Sequence, residues 1–532
     1  MTEMGKLNKM FEGMTEKESA AIWENADAIV KAWHAEYQKI LNTPDLEPKV
    51  YPTNEAEFTK FYYANSQRKE FAHTPENLRP TRTVESLEGW LDSDYFSKEY
   101  ELDEYGGWKN EALKQEATGV FYVKKLNGRW FYIDPLGYPC ITIGIVGPCF
   151  CYAKNEQQLV AATAKYGDSK TWANATVRHL KDDLGFNLAM PWPPSTDDIF
   201  EVPNGPVYQK STYPLTEYGL SKGIAKKLGS TFFDDKAMPV FDPEFPEFAD
   251  NFIKETVAPY LDDKRVVGFT TDNEIPIEKA MLDNYMSLNV DEKPHHRNSY
   301  AAVWTWLCLM TGKEDPTAED VTDELRELFR GFVYYRYFSV MEPIMRRHAP
   351  KHLYGGVRFF TPSLAATFLN AEWIARFAGK YCDYICINWY RRYWTLPSQL
   401  AADLTRWTGD KPILITEFYS KADLKLPDGT EVVFQGAGGG FLVDGAPECD
   451  NAQQARADHY ENTTLSFLEW GNIIGWHWYR YNHYWVNGKP WVGMGIVDDN
   501  HEPYPELERA FKNVNNHVYG LAEYFDDRYE RK

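Results

Sequence analysis

Two glutamates end short apolar runs in this chain. Glu417 follows Ile413-Leu414-Ile415-Thr416 in KPILITEF, and Glu274 follows Val266–Asn273 in VVGFTTDNE. A short apolar run bounded by turn signals reads as a buried strand of a parallel sheet. A carboxylate at the end of such a strand stands where the core opens to solvent. Two of them are the minimum equipment of a glycosidase, with one carboxyl protonated as acid and one ionised as nucleophile, about 5–5.5 Å apart in a retaining enzyme. Either glutamate alone reads equally well as a helix-start carboxylate; the two together, with their neighbours, favour chemistry. Asn273 is placed to hydrogen-bond a sugar 2-hydroxyl, and Thr271 and Asp272 to orient the strand end. Arg358, after Gly355-Gly356-Val357, can hold Glu417 in its ionised form. Asn388-Trp389-Tyr390 ends a further strand, and its tyrosine can hydrogen-bond the nucleophile. Trp192, just past Met190, is a candidate side wall.

In GWHWYRY (475–481) alternation puts Trp476 and Trp478 on one side and His477 and Tyr479 on the other. One set is expected to form a stacking floor for a sugar, and Tyr481 is counted with the site. His477 has no cysteine or carboxylate at metal spacing, and Cys382 and Cys386 have no His-rich partner segment. The expectation is therefore no metal and no cofactor. Arg391, Arg392, Arg480 and Lys489 read first as surface charge, and second as contacts for a sulfated galactan.

The elements that must position these groups alternate. Glu16–Leu41 carries Ala20, Ile22, Ala26, Ile29, Val30, Trp33, Tyr37 and Leu41 at helical spacing, an amphipathic helix. Residues 1–115 are expected to be a mostly helical N-terminal extension wrapped on a larger domain, 116–532. From Thr118 a hairpin leads into a strand at Cys140–Val146, and strands then alternate with helices. Strands are expected at 185–190, 238–243, 265–271, 352–358, 384–388, 413–417 and 473–478, and helices at 172–183, 246–261, 300–348, 364–378, 452–469 and 504–518. About eight βα units imply an α/β chain folded as a (β/α)8 TIM barrel, with Glu274 after the fourth strand and Glu417 after the seventh. A doubly wound open sheet is the rival, but no G-x-G-x-x-G follows the first strand. The run Gly436–Gly440 reads as a loop over the barrel mouth.

The 532 residues carry a formal charge of −21, with 43% hydrophobic and 25% charged residues, an ordinary globular balance with no basic stripe for nucleic acid. The 18 Trp, 35 Tyr and 30 Phe are an unusual share, and flat rings match the C–H faces of pyranoses. No apolar run is long enough for a membrane span, and the first nineteen residues contain no apolar core of a secretion signal. Seven cysteines without framework spacing suggest reduced thiols. A cytoplasmic enzyme acting on an oligosaccharide partner is expected, with its oligomeric state open.

The chain resembles the (β/α)8 glycosidases of glycoside hydrolase clan A, and most of all glycoside hydrolase family 50, the β-agarases. The resemblance runs through GRWFYIDPLG (128–137), LGFN (184–187), VFDPEF (240–245) and TTDNE (270–274), then ITEFYSKA (415–422), GAG (436–438), GWHWYRY (475–481) and GIVDDNHEPYPEL (495–507). It implies a retaining hydrolase with Glu274 as acid/base and Glu417 as nucleophile, and exo-acting cleavage of agar-type galactan oligosaccharides is expected. The chain departs from the family in lacking a large β-sandwich ahead of residue 116 and in the loop 424–451. A different clan A specificity, such as a β-galactosidase or β-glucosidase, and a non-catalytic carbohydrate-binding barrel stay open as alternatives.

Overall fold

A computed structural model describes residues 9–531 except 66–73, 153–154, 193–194, 229, 362–366, 391–392, 426–430, 433–440, 445–451 and 487–488. The Gly436–Gly440 run and Arg391-Arg392 therefore lie outside the described residues, as does the side chain of Lys489.

Parallel strands carry the centre of the molecule: β1 (Thr142–Val146), β2 (Leu188–Met190), β3 (Tyr208–Thr212), β4 (Val266–Thr271), β5 (Arg358–Phe360), β6 (Ile385–Asn388), β7 (Ile413–Phe418) and β8 (Ile473–Trp478). Every residue of β1, β4, β7 and β8 is buried, as expected for strands covered on both faces. The closed (β/α)8 barrel expected from the sequence is corrected here. The ladders form a six-stranded sheet in the order β5-β6-β7-β8-β1-β2 and a separate two-stranded sheet of β3 and β4, within a mixed α/β fold that also holds several small sheets. Among the described residues no single ladder closes on itself. Isolated bridges, Leu188 to Val207, Phe269 to Tyr354 and Asn273 to Arg358, with the backbone hydrogen bonds around them, join the facing edges of these sheets in place of continuous ladders. The reason is local: β2 and β5 are three residues long, and Gly356, at φ +64, breaks the extended backbone just ahead of β5.

Helix α1 (Glu16–Leu41) begins on a capping box, Thr15 with Glu18, and buries Ala26, Ile29, Val30 and Trp33. Trp33 lies 5.7 Å from the Trp306 ring and 5.4 Å from that of Phe332. Helix α2 (Pro214–Ser221) follows β3, and α3 (Asp323–His348) precedes β5. Helix α4 (Ala452–Glu469), between β7 and β8, is buried almost throughout although it carries Asp458, Glu461, Asn462 and Glu469.

Those polar groups meet the first hundred residues, which are not mostly helical as expected. Beyond α1 and a few single helical turns, the segment contains strands at Lys60–Asn65 and Leu78–Thr81 that pair with each other. The first also pairs antiparallel with residues 442–444. Arg82 donates to both oxygens of Glu469, at 2.7 and 2.6 Å, and to Glu57 at 3.3 Å. The Val84 N–H donates to Glu461 at 2.8 Å and Lys60 to Asp458 at 2.9 Å. A buried ion pair holds only when its lone pairs are satisfied in this way. The strand expected at 238–243 is instead a 3-10 turn at Pro239–Phe241.

Candidate active site

The C-terminal ends of β4 to β7 converge. Beyond β4 the backbone turns sharply: Asp272 has φ +59 and Glu274 φ +49, the left-handed region that costs a non-glycine residue about 1–3 kcal/mol. Surrounding bonds enforce it. The Asp272 carboxylate accepts from the Leu215 and Thr216 N–H groups at the start of α2, at 3.1 and 2.9 Å. It also accepts from the Thr216 hydroxyl at 2.7 Å and the Tyr337 hydroxyl at 2.8 Å. Burial raises its pKa and these donors pull it back. Asp272 is thus consumed as an anchor, with its oxygens turned to α2 rather than to a ligand.

That anchor aims the next two residues. The Glu274 N–H donates to the Arg358 carbonyl at 3.0 Å. Its Oε1 accepts from Asn388 Nδ2 at 2.9 Å, and its Oε2 accepts from the Ser230 hydroxyl. Asn388 Nδ2 also reaches Asn273 Oδ1 at 3.2 Å, while Asn388 Oδ1 accepts from Thr416 at 2.7 Å. Burial, and then the charge of Glu417, push the Glu274 carboxyl up to about 7, against its two donors and Arg358.

Glu417 sits in register with Asn388 across β7 and β6 and is 4% exposed. Its Oε1 accepts from Arg358 Nη2 and its Oε2 from the Tyr390 hydroxyl. Arg358 is itself fully buried, and its guanidinium lies 4.8 Å from the Trp192 ring centroid. So Arg358 binds one glutamate through its carbonyl and the other through its side chain. The arrangement offers one carboxyl that holds a proton near neutrality beside one carboxylate charge-paired with a cation.

Of the sequence-derived candidates, Asn273, Glu274, Arg358, Asn388, Tyr390, Glu417 and Trp192 are brought together. The Trp389 ring packs away from them, against Tyr393 and Phe467 at 5.9 Å, and the backbone N–H of Trp389 donates to the Glu417 carbonyl at 2.7 Å. Trp476 and Trp478 also point outward. Trp476 donates to the Tyr460 hydroxyl on α4 at 3.0 Å and Trp478 to the Met494 carbonyl in a loop at 3.1 Å. Tyr481 packs its ring 5.9 Å from Trp172. None of these three forms a stacking floor. His477 and Tyr479 take the inner face; burial first, then Arg358, push His477 down to about 3, so its imidazole is neutral. Arg480 is buried, donating to the Gly147 carbonyl at 3.1 Å.

Sequence reading missed Ser230, Tyr213 and Tyr419. Ser230 arrives on a hairpin, Ala225–Leu228 with Ser230–Phe233, that carries no motif. Tyr213, placed by the start of α2, meets Trp192 edge-on at 6.4 Å. Tyr419 was legible within ITEFYSKA, and its ring bridges Tyr390 at 5.3 Å and Tyr479 at 6.0 Å.

Among the described residues no group of three or more His, Cys, Asp or Glu could hold a metal ion, and no helix is long and apolar enough to cross a membrane. No family model matches the sequence. The chain is 21% identical over 527 residues to Beta-agarase B of Vibrio sp. (strain JT0107), an alignment covering 78% of this chain and 50% of that protein. It therefore spans about half the length of that curated relative. Its fold is similar to the crystal structure of BpGH50, with a TM-score of 0.70 at 24% identity over 90% of this chain and 100% of that one. It is also similar in fold to an exo-beta-agarase, with a TM-score of 0.60 at 20% identity over 79% of this chain and 68% of the other.

Proposed function

We propose that this protein is a retaining glycoside hydrolase that cleaves β-galactosidic bonds in agar-type galactan oligosaccharides, working from a chain end. Glu274 protonates the departing oxygen while Glu417 attacks the anomeric carbon. Glu274, then ionised, takes a proton from water, which releases the sugar from Glu417. The observation that carries this reading is the unequal pair: one carboxyl shifted to about 7 by burial, one charge-paired with Arg358 and accepting a hydrogen bond from the Tyr390 hydroxyl in the same site. Asn273, steadied by Asn388, is available for the 2-hydroxyl. The galactan is taken from the likeness to Beta-agarase B, and chain-end action from the likeness to an exo-beta-agarase. A sulfate contact at Arg480 finds no support, because that side chain is buried.

The test is incubation with agar-, porphyran-, carrageenan- and lactose-type oligosaccharides, with the anomer of the first product followed by NMR. Cleavage of an agar-type chain with a β product formed first is expected. No cleavage of any β-galactoside, an α product first, or activity surviving Glu417→Gln at near the wild-type rate would overturn the proposal.

A further inference from the structure

The hairpin that brings Ser230 to Glu274 has two faces, and the fold uses one of them. Directly opposite residues of an antiparallel pair share a face, and successive residues alternate. Thr231 and Phe233 face inward: the Thr231 and Thr216 hydroxyls are 2.9 Å apart, and Phe233 is buried beside Gly219 of α2. Lys227 is opposite Thr231, and its ammonium lies 3.4 Å from the Tyr213 ring centroid. These contacts pin the hairpin to α2.

The other face begins at the candidate acid. Ser230 donates to Glu274, and Phe232, the next residue on that side, is 56% exposed with Lys226 opposite it. Two residues along a strand span about 7 Å. A single exposed phenylalanine is ordinary on a protein surface. This one is set apart by its position, on the same face of the same strand as the group that touches Glu274. The acid of a glycosidase protonates the departing oxygen, so the departing sugar lies on the acid's side of the cleaved bond.

We propose that the outer face of this hairpin is the binding surface for the leaving-group part of the galactan, with the Phe232 ring stacking on the C–H face of a departing sugar and Lys226 beside it. The inference rests on the glycosidase reading above, and adds a residue that makes the enzyme favour substrates extending past the cleaved bond.

The experiment measures kcat/KM of wild type, Phe232→Ala and Phe232→Trp on agar-type oligosaccharides of increasing length on the leaving side. Phe232→Ala should lower kcat/KM for the longer chains about fivefold to tenfold, through KM, with the shortest cleaved chain unchanged. Phe232→Trp should restore it. Thermal unfolding of both variants should match wild type, because the side chain is exposed. Equal losses at every length, or none at any, would overturn the inference and leave the glycosidase reading standing. A wild type inactive on the whole series would overturn that reading, and this inference with it.

Discussion

The ends of β4 and β7 present the same side chain in opposite surroundings. Glu274 sits on a strained turn, receives neutral donors from Ser230 and Asn388, and is pushed up to about 7 by burial. Glu417 lies within β7, one residue before its end and where the ladder register shifts, and meets a buried guanidinium and a phenol. Both carboxyls stand at the C-terminal side of a parallel strand, so the proposed division of labour between acid and nucleophile rests on their partners. Two of those partners, Arg358 and Asn388, touch both strand ends, so the difference is built by shared residues oriented two ways.

The comparison is broken most severely by removing either carboxyl. Glu417→Gln should lower kcat about 10⁴-fold or more, and azide should restore turnover to Glu417→Gly as an α-glycosyl azide. Glu274→Gln should lower kcat by about 10²–10⁴-fold and remove the alkaline limb of the pH profile, which in wild type should fall as pH rises through about 7.

Stability should separate the two glutamates by sign. Glu417→Gln leaves Arg358 buried without its counter-charge, so unfolding should be easier by about 3–5 kcal/mol. Glu274 behaves oppositely: its folded pKa is raised from 4.5 to about 7, so the folded state loses stability as pH rises across that window. Glu274→Gln should therefore gain in melting temperature over wild type at pH 8 and gain less at pH 4.5. Equal shifts at both values would show that the carboxyl titrates normally.

The smallest effect sharpens the contrast. Ser230→Ala removes a donor that favours the ionised form of Glu274, so the alkaline limb should move to higher pH. Ser230→Thr should return it towards wild type. An alkaline limb that stays in place in Ser230→Ala would remove Ser230 from the site.

What could be read in the sequence follows from how each group is held. Strands β4, β7 and β8 were legible almost to the residue, because unbroken apolar runs between turns have few other uses. Glu274, Glu417, Arg358, Asn388 and Tyr390 were legible because each ends or opens such a run. The orientation of Trp476 and Trp478 was not, since a strand buried on both faces gives no sign of which side is inside. Asp272 looked like a site residue and is spent on the start of α2, 56 residues earlier at Thr216. Ser230 lies 44 residues from Glu274, on a hairpin whose sequence announces nothing. Counting βα units implied closure, but the lengths of β2 and β5 decide where ladders form, and a count does not carry that.

The Arg82–Glu469 pair has a consequence for synthesis. Its partners are 387 residues apart, and the neighbouring strand at 60–65 pairs with residues 442–444. During translation residues 60–84 emerge with buried-type charges and an unpaired strand edge, and the partners at 442–469 follow several hundred residues later. Contacts this distant in sequence slow folding and leave such segments exposed to aggregation in the meantime. Before α4 exists Arg82 has only Glu57 of its two carboxylate partners to meet, which makes the Arg82–Glu469 bond a late step of folding.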